Sequence, residues 1–351
     1  VGGFTDPAHM EEVIASGKAD IINLGRQSLA DQDLPNKARL GRDEDINKCL
    51  RCCACFSGVG DRRIFYCATN PVTGHEYEDK YLPSAARRKR VLVAGGGVAG
   101  MQAALTAAQR GHDVILCEKA DKLGGVLRCE ENVPFKKKLA GYIEYQIRNI
   151  GKAAVDVRLG TPVTPELVEE LRPDVVIAAV GARPIVPNIP GIDGKNVLGA
   201  EEAYMSPDKV GKVLTIIGGG LVGVELAIFM AQEGRKVTII EAEKELSLGN
   251  PSPHFGALQN KISELDIRVL TSAKVERITE SGVAVQTGEG AQEITSDTVV
   301  YAVGQKPLRE DVMALSRFSR EFYAIGDCVA PKNILEATQA AWTIARTIGR
   351  F

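Results

Sequence analysis

Two stretches decide the fold: VLVAGGGVAGMQAA at residues 91–104 and VLTIIGGGLVGVE at residues 213–225. Each begins as a short apolar run, passes through a Gly-x-Gly-x-x-Gly loop, and opens a run of small and apolar residues. In the first copy, 91–94 reads as a strand, 95–100 as the loop and 101–110 as a helix; a second strand, 114–117, ends at Glu118. In the second copy, 213–217, 218–223, 224–233 and 237–240 repeat these parts about 123 residues later and end at Glu241. The acid follows the third glycine by 18 residues in both. A glycine-rich turn by itself says little. Strand, loop, helix and a carboxylate closing the next strand form the pattern of a dinucleotide-binding unit. Gly95 and Gly218 permit the tight turn, Gly97 and Gly220 admit a pyrophosphate against the backbone, and Gly100 and Gly223 let helix and strand pack closely. The helix N-terminus offers free N–H groups to the phosphates, and Glu118 and Glu241 offer acceptors to a ribose.

Two copies imply two dinucleotides, and an internal duplication of this kind decides the fold class. Further apolar runs at 175–180, 298–303 and 322–325 end in Gly181, Gly304 and Gly326, and a last helix is expected over about 334–348. Asp327 follows a buried-strand pattern, where it could bond the ribityl chain of a flavin or simply cap a helix. The flavin reading makes both ends of the chain build one domain, with the second copy inserted between them. FAD then belongs to the first loop and a nicotinamide cofactor to the second. A carboxylate at Glu241, with Ala242 and Glu243 after it and no arginine beside it, favours NADH over NADPH.

The chain has 351 residues, 44% hydrophobic and 25% charged, and a formal net charge of −2. That balance gives no electrostatic reason to expect nucleic acid or an anionic membrane as a partner. No apolar run approaches the ~18 residues of a membrane span, and no secretory signal is visible. The first residue is Val1, and the chain reads as part of a longer one. Five of its eight cysteines fall between positions 49 and 67. Such clustering points to metal ligation in a cytoplasmic protein, where a secreted scaffold would spread its cysteines for disulfides. Cys49-x2-Cys52-x2-Cys55-x11-Cys67 supplies the four thiolates of a [4Fe–4S] cluster. Three bunched ligands and a remote fourth fit this better than the two separated knuckles of a zinc ribbon. Cys53 could exchange roles with Cys52 or Cys55. Cys117, on an apolar strand, reads as core.

Taken together, GGFTDP at the start, ADIINLGRQSLADQDLPNK, the four-cysteine run, VLVAGGGVAGMQAA with Glu118 and KLGG, VVIAAVGARP and IIGGGLVGVE resemble the old-yellow-enzyme-related flavoproteins. This group includes 2,4-dienoyl-CoA reductase, 2-enoate reductase and trimethylamine dehydrogenase. The resemblance covers the whole chain. It implies an α/β architecture of two Rossmann-like FAD/NAD domains, one inserted in the other, preceded by an iron–sulfur segment and the last units of an FMN-binding (β/α)8 barrel. The expected boundaries are 1–40 for the barrel units and 41–88 for the [4Fe–4S] segment and linker. The FAD domain would take 89–190 and 308–351, and the NAD(P)H domain 191–307. Within 1–40, a helix over 6–16 and a strand over 20–24 are expected.

The resemblance further implies that Gly2, Gly3, Gly25 and Arg26 hold the FMN phosphate. Backbone N–H groups and a forked arginine at the ends of barrel strands suit that task. It also implies FAD contacts from Ala99, Glu118, Lys136 and Val163. After Gly124-Gly125, where the family often has a polar flavin contact, Val126 offers only its backbone. Gly326 and Asp327 complete the FAD set. The implied activity runs from NADH to FAD, through the cluster to FMN, and reduces a C=C bond in a small unsaturated acid, CoA thioester or enone. The acid or base acting on that substrate is expected outside this chain. An x2 spacing before the third cysteine is closer to the trimethylamine dehydrogenase pattern, which leaves open outward electron flow or an electron-transfer piece without its own substrate site. Nothing in the sequence argues against a homo-oligomer.

Overall fold

Residues 91–94 are apolar at every position and fully buried. A run without polar alternation is what a parallel strand covered on both faces requires. Alternate residues leave on opposite sides, as the two-residue period of a strand dictates. Val91, Val93, Val114, Leu116, Val175 and Ile177 join one core, while Leu92, Ala94, Ile115, Cys117 and Val176 join another. Cys117 is thus a packing residue.

The computed structural model describes residues 2–56, 65–247 and 253–350. Its strands are β1 (Arg90–Ala94), β2 (Asp113–Cys117), β3 (Val155–Arg158), β4 (Val175–Ala178), β5 (Ala182–Pro184), β6 (Val197–Gly199), β7 (Val213–Ile217), β8 (Lys236–Ile240), β9 (Arg268–Leu270), β10 (Lys274–Thr279), β11 (Gly282–Thr287), β12 (Gly290–Thr295), β13 (Thr298–Tyr301), β14 (Gln305–Pro307) and β15 (Glu321–Ala324). They form two five-stranded sheets, ordered β15-β4-β1-β2-β3 and β6-β13-β7-β8-β9, an antiparallel sheet β10-β11-β12, and the pair β14-β5. Every pairing within the two larger sheets is parallel. This is the α/β, Rossmann-like architecture expected from the sequence.

The chain divides into two compact units. One comprises residues 1–128, 136–182 and 307–351; the other, residues 129–135 and 183–306. The division falls several residues before the expected boundary at 190/191. It also assigns 129–135, where Val133 is buried, to the second unit. In the first unit the helix Val98–Gln109 covers one face of the sheet together with Ile334–Ala345, and Val168 and Leu315 cover the other. In the second unit the helix Leu221–Gln232 packs on Leu214, Ile216, Val237, Ile239 and Val300. Its opposite face is covered by β10, β11 and β12 through Val275, Ile278, Val283, Val285 and Ile294.

The duplication is exact in spacing. β1, β2, β4 and Val98–Gln109 recur as β7, β8, β13 and Leu221–Gln232, each displaced by 123 positions: Arg90 to Val213, Asp113 to Lys236, Val175 to Thr298, Val98 to Leu221. Both helices begin three residues earlier than expected. Gly97 and Gly220 are their N-caps, with extended backbone at ψ −175° and 176°, so the third glycine of each loop lies inside the first turn.

Residues before β1 belong to the first unit. Helix Pro7–Ala15 is capped by Asp6, whose Oδ1 accepts from the Ala8 N–H at 3.1 Å. The expected strand at 20–24 does not form. The segment has no ladder partner among the described residues, and Ile21 is 82% exposed; a strand needs a neighbour to satisfy its N–H and C=O groups. Met10, Leu34 and Ile46 make a small core against Phe4, Ile22 and Leu24. The cysteine-bearing segment is tied down from three sides, although its residues 57–64 lie outside the described ones. Asp45 accepts from Lys152 and from Arg42, the latter at 2.9 Å. Arg148 donates to the Glu44 carbonyl at 2.9 Å. Thr338, on the last helix, donates to the Ala68 carbonyl at 2.9 Å. Among the described residues, no helix is long and apolar enough to cross a membrane.

The hydrogen bond from Lys152, then that from Arg42, holds the Asp45 carboxyl below its ordinary value of 3.8. A depressed carboxylate contributes stability that is complete above the unfolded-state value and is lost as pH falls through the folded one. Asp45→Asn is therefore expected to melt at a lower temperature than the parent at neutral pH. The gap should close as pH drops below about 4. Thermal melts of the pair across that range check it; a gap that persists in acid would show that the ion pairs are not its source.

Candidate cofactor-binding sites

The two glycine loops are built alike from the backbone outward. Gly95 and Gly218 have φ of +110° and +111°, a region that favours glycine. A Cβ on Gly95 would overlap the Ala179 carbonyl oxygen, and one on Gly218 would lie 2.5 Å from that of Ala302. Cβ atoms on Gly100 and Gly223 would overlap the carbonyl oxygens of Gly95 and Gly218. Gly97 and Gly220 differ from these. A Cβ on Gly97 would come no nearer than 3.9 Å to another atom, and one on Gly220 would meet nothing within 4 Å. These two glycines keep open ground in front of a helix N-terminus, which is where a pyrophosphate would lie.

The carboxylates are engaged with their loops. Glu118 Oε2 accepts from the Gly96 N–H at 2.6 Å and Oε1 from the Ala120 N–H at 2.8 Å. Glu241 repeats both bonds with Gly219, at 2.6 Å, and Glu243, at 2.8 Å. Each carboxylate keeps further lone pairs for a ribose hydroxyl. The middle glycines, Gly96 and Gly219, were absent from the site residues expected from the sequence. A Cβ on either would overlap Leu123 or Leu246 and lie 3.0 Å from the Cβ of Glu118 or Glu241. The motif could have signalled them, since both copies read Gly-Gly-Gly.

At the other end of the first unit, Gly326 (φ +69°) packs so closely that its Cβ would lie 2.9 Å from that of Ala99. The fold therefore brings Gly326-Asp327 to the mouth of the first loop. Asp327 caps no long helix. It sits in a three-residue 3-10 turn, Gly326–Cys328, while Asn333 caps Ile334–Ala345 by accepting from the Glu336 N–H at 3.1 Å. Burial pushes the Asp327 carboxyl up, partly offset by the Lys332 N–H that it accepts at 3.2 Å. Val126 is 49% exposed in the 3-10 turn Gly125–Glu130. Lys136 ends another, Pro134–Lys136, and Val163 packs beside the core of β1, β2 and β4.

Gly2, Gly3, Gly25 and Arg26 line one cavity together with Cys49, Arg51 and Phe56. Gly2 and Gly3 have φ of +90° and +79°, and Arg51 donates to the Gly3 carbonyl. A second cavity is lined by Arg26 and by Cys49, Cys52, Cys53, Cys55 and Cys67. Burial pushes the Cys55 and Cys67 thiols up, and nearby cysteines, Cys49 among them, add to the effect. Cys53, which lines the same cavity, also accepts at its Sγ from Arg26 Nη1 at 3.1 Å, with φ at +58°. Among the described residues, no three or more His, Cys, Asp or Glu side chains converge on one point tightly enough to hold a single metal ion.

Residues 89–318 match the family described as pyridine nucleotide-disulphide oxidoreductase. The chain is 36% identical to an NADH oxidase of Thermoanaerobacter brockii, over 98% of this chain and 54% of the relative. It is 35% identical to a cinnamate reductase of Clostridium sporogenes, over 99% and 52%. Among solved structures, a 2-naphthoyl-CoA reductase matches with a TM-score of 0.92 at 31% identity, covering 98% of this chain and 53% of that one. The chain spans about half the length of the curated relatives it matches.

Two alanine substitutions separate fold from ligand at the second loop. Gly223→Ala overlaps backbone and is expected to cost about 1–3 kcal/mol, as overpacking does. Among the described residues Gly220→Ala meets no atom within 4 Å, and its backbone is extended, so its melting temperature without nucleotide should match the parent's. Its affinity for NADH should fall by at least about tenfold, because the methyl occupies the ground expected for the pyrophosphate. Melting curves and titration with NADH check both; equal NADH affinity in Gly220→Ala and the parent would exclude this loop as the nucleotide site.

Proposed function

From the premise that the chain belongs to the pyridine nucleotide-disulphide oxidoreductase family, we propose that it is the electron-input part of an NADH-dependent flavin and iron–sulfur oxidoreductase. In the whole protein it would serve reduction of a C=C bond in an enoate, enoyl-CoA or enone. The observation that carries this reading is the pair of complete nucleotide loops at one spacing, each with its middle N–H held by an acid and its second glycine facing open ground. The names of the relatives agree with it: an NADH oxidase, a cinnamate reductase and a 2-naphthoyl-CoA reductase.

In this reading the loop Gly95, Gly97 and Gly100 and the N–H groups of Val98 and Ala99 would hold the FAD pyrophosphate. Glu118 would take a ribose, and Gly326 with Asp327 the ribityl chain. Val126 would contribute only backbone, with Lys136 and Val163 at the flavin's flank. Gly218, Gly220, Gly223 and Glu241 would do the same for NADH. The acid at Glu241 repels a 2′-phosphate and so disfavours NADPH. Cys49, Cys52, Cys55 and Cys67 would hold a [4Fe–4S] cluster. The cavity these four share with Cys53 supports a cysteine-held group there, and the bond from Arg26 to Cys53 favours the quartet without it. Gly2, Gly3, Gly25 and Arg26 would grip the phosphate of FMN; Arg26 lines both cavities and could do so while keeping its bond to Cys53. When bound, these cofactors supply the hydride and electron transfers, and the chain's own residues bind and orient them.

Anaerobic addition of NADH to the purified chain should bleach the flavin absorbance, and analysis should find about four iron and four sulfide per chain. Glu241→Gln removes the charge that disfavours a 2′-phosphate. It is expected to raise KM for NADH about tenfold, in line with the loss of a charged hydrogen bond, and to narrow the preference over NADPH. A flavin that NADH does not bleach would overturn the input reading. Zinc without iron would overturn the cluster.

A further inference from the structure

Gln27 is 3% exposed and sits directly after Arg26. Its side-chain amide makes two bonds to the cysteine-bearing segment. The Cys49 N–H donates to Gln27 Oε1 at 2.8 Å, and Gln27 Nε2 donates to the Asn47 carbonyl at 2.9 Å. One donor and one acceptor on a planar amide reproduce what a neighbouring strand's peptide unit would offer. The segment 46–50 lies in no sheet, so this side chain takes the place of a strand partner. The next link is Asn47, itself 4% exposed. Its N–H donates to Asp31 Oδ2 at 2.8 Å and its Nδ2 to the Thr69 carbonyl at 2.9 Å. The Thr69 hydroxyl in turn lies 3.4 Å from Cys67 Sγ. A buried relay therefore joins the first cysteine of the quartet to the last, across eighteen positions of sequence.

We infer that Gln27 is a positioning residue for the quartet: it sets Cys49 directly and, through Asn47 and Thr69, its register with Cys67. This rests on the cluster reading above. The bond also governs the environment of the sulfur, because the Arg51 N–H donates to Cys49 Sγ at 3.4 Å. That bond exists only while residues 49–51 keep their course, with Arg51 held at φ +60°. Amide bonds to cluster sulfurs are one of the determinants of cluster potential. Releasing Cys49 should thus loosen the cluster and also change its potential.

The test compares the chain, loaded anaerobically with iron and sulfide, with three variants. Gln27→Leu removes both bonds. Gln27→Glu keeps an acceptor for the Cys49 N–H and sets a carboxylate against the Asn47 carbonyl. Thr73→Val removes a comparably buried bond to the same short helix, the 2.7 Å contact to the Leu29 carbonyl, and leaves both bonds of Gln27 in place. Expected for Gln27→Leu are about tenfold faster loss of iron to a chelator, as leaving a buried donor unpaired implies, a changed electron paramagnetic resonance signal and a lower midpoint potential. Gln27→Glu should move in the same direction and Thr73→Val should match the parent. FAD content and NADH-driven dye reduction should be unchanged in all three. If Gln27→Leu does not fold, Gln27→Glu decides by the same readouts. Parent-like signal, potential and iron loss in the Gln27 variants overturn the inference, as does an equal change in Thr73→Val. A parent chain that takes up no iron and sulfide overturns the cluster reading instead, and this inference with it.

Discussion

The hydrogen bond from a loop N–H to the carboxylate at the end of the next strand holds both nucleotide units in shape. Gly96 to Glu118 and Gly219 to Glu241 are each 2.6 Å. An acceptor with full charge makes this one of the stronger bonds in either unit. It requires a glycine as donor, since Leu123 or Leu246 occupies the space of a side chain. It also fixes the distance between the turn and the neighbouring strand. The first glycine can then curl over Ala179 or Ala302, and the helix can start close enough for Gly100 or Gly223 to touch the turn. The second glycine is left as the sole open position, and the open position is what a phosphate needs.

Around this shared frame the two units diverge where the frame places no demand. The first sheet covers its second face with helices at Val168 and Leu315; the second uses a three-stranded meander. Both solutions bury the same strand face, so the nucleotide loop sees an equivalent floor. The first unit alone recruits the end of the chain: Ile334–Ala345 packs along Val98–Gln109, Gly326 touches Ala99, and Thr338 reaches back to Ala68 beside Cys67. One helix thus connects the first loop's surroundings to the cysteine-bearing segment. That coupling gives a physical reason for the two to occur in one compact unit.

The fold was legible in the sequence to the extent that local chemistry decides it. Parallel strands covered on both faces must be apolar throughout, a dinucleotide loop must carry glycine where a Cβ would strike backbone, and the acid must close the following strand. These demands act over about thirty residues and leave a readable pattern at 91–118 and 213–241. The helix starts were read three residues late because the third glycine looks like loop when it lies within the first turn. The strand expected at 20–24 has the right residues but no ladder partner among the described residues, and pairing is a property of neighbours. The three strands that cover the second sheet went unread, since their alternation is short and their turns are ordinary.

What the sequence determined by itself was the duplicated nucleotide frame and the presence of four well-spaced cysteines, because both depend on residue types at short separations. Only the tertiary structure paired Arg26 with Cys53. Only it brought Asp327 to the first loop by way of Gly326 and Ala99, and only it made Gln27 and Asn47 the support of Cys49. Each of these is a bond or a close contact between residues 20 to more than 200 positions apart. Bonds of that kind leave no period or spacing in the sequence, because their geometry exists only once the sheet and its covering helices have packed.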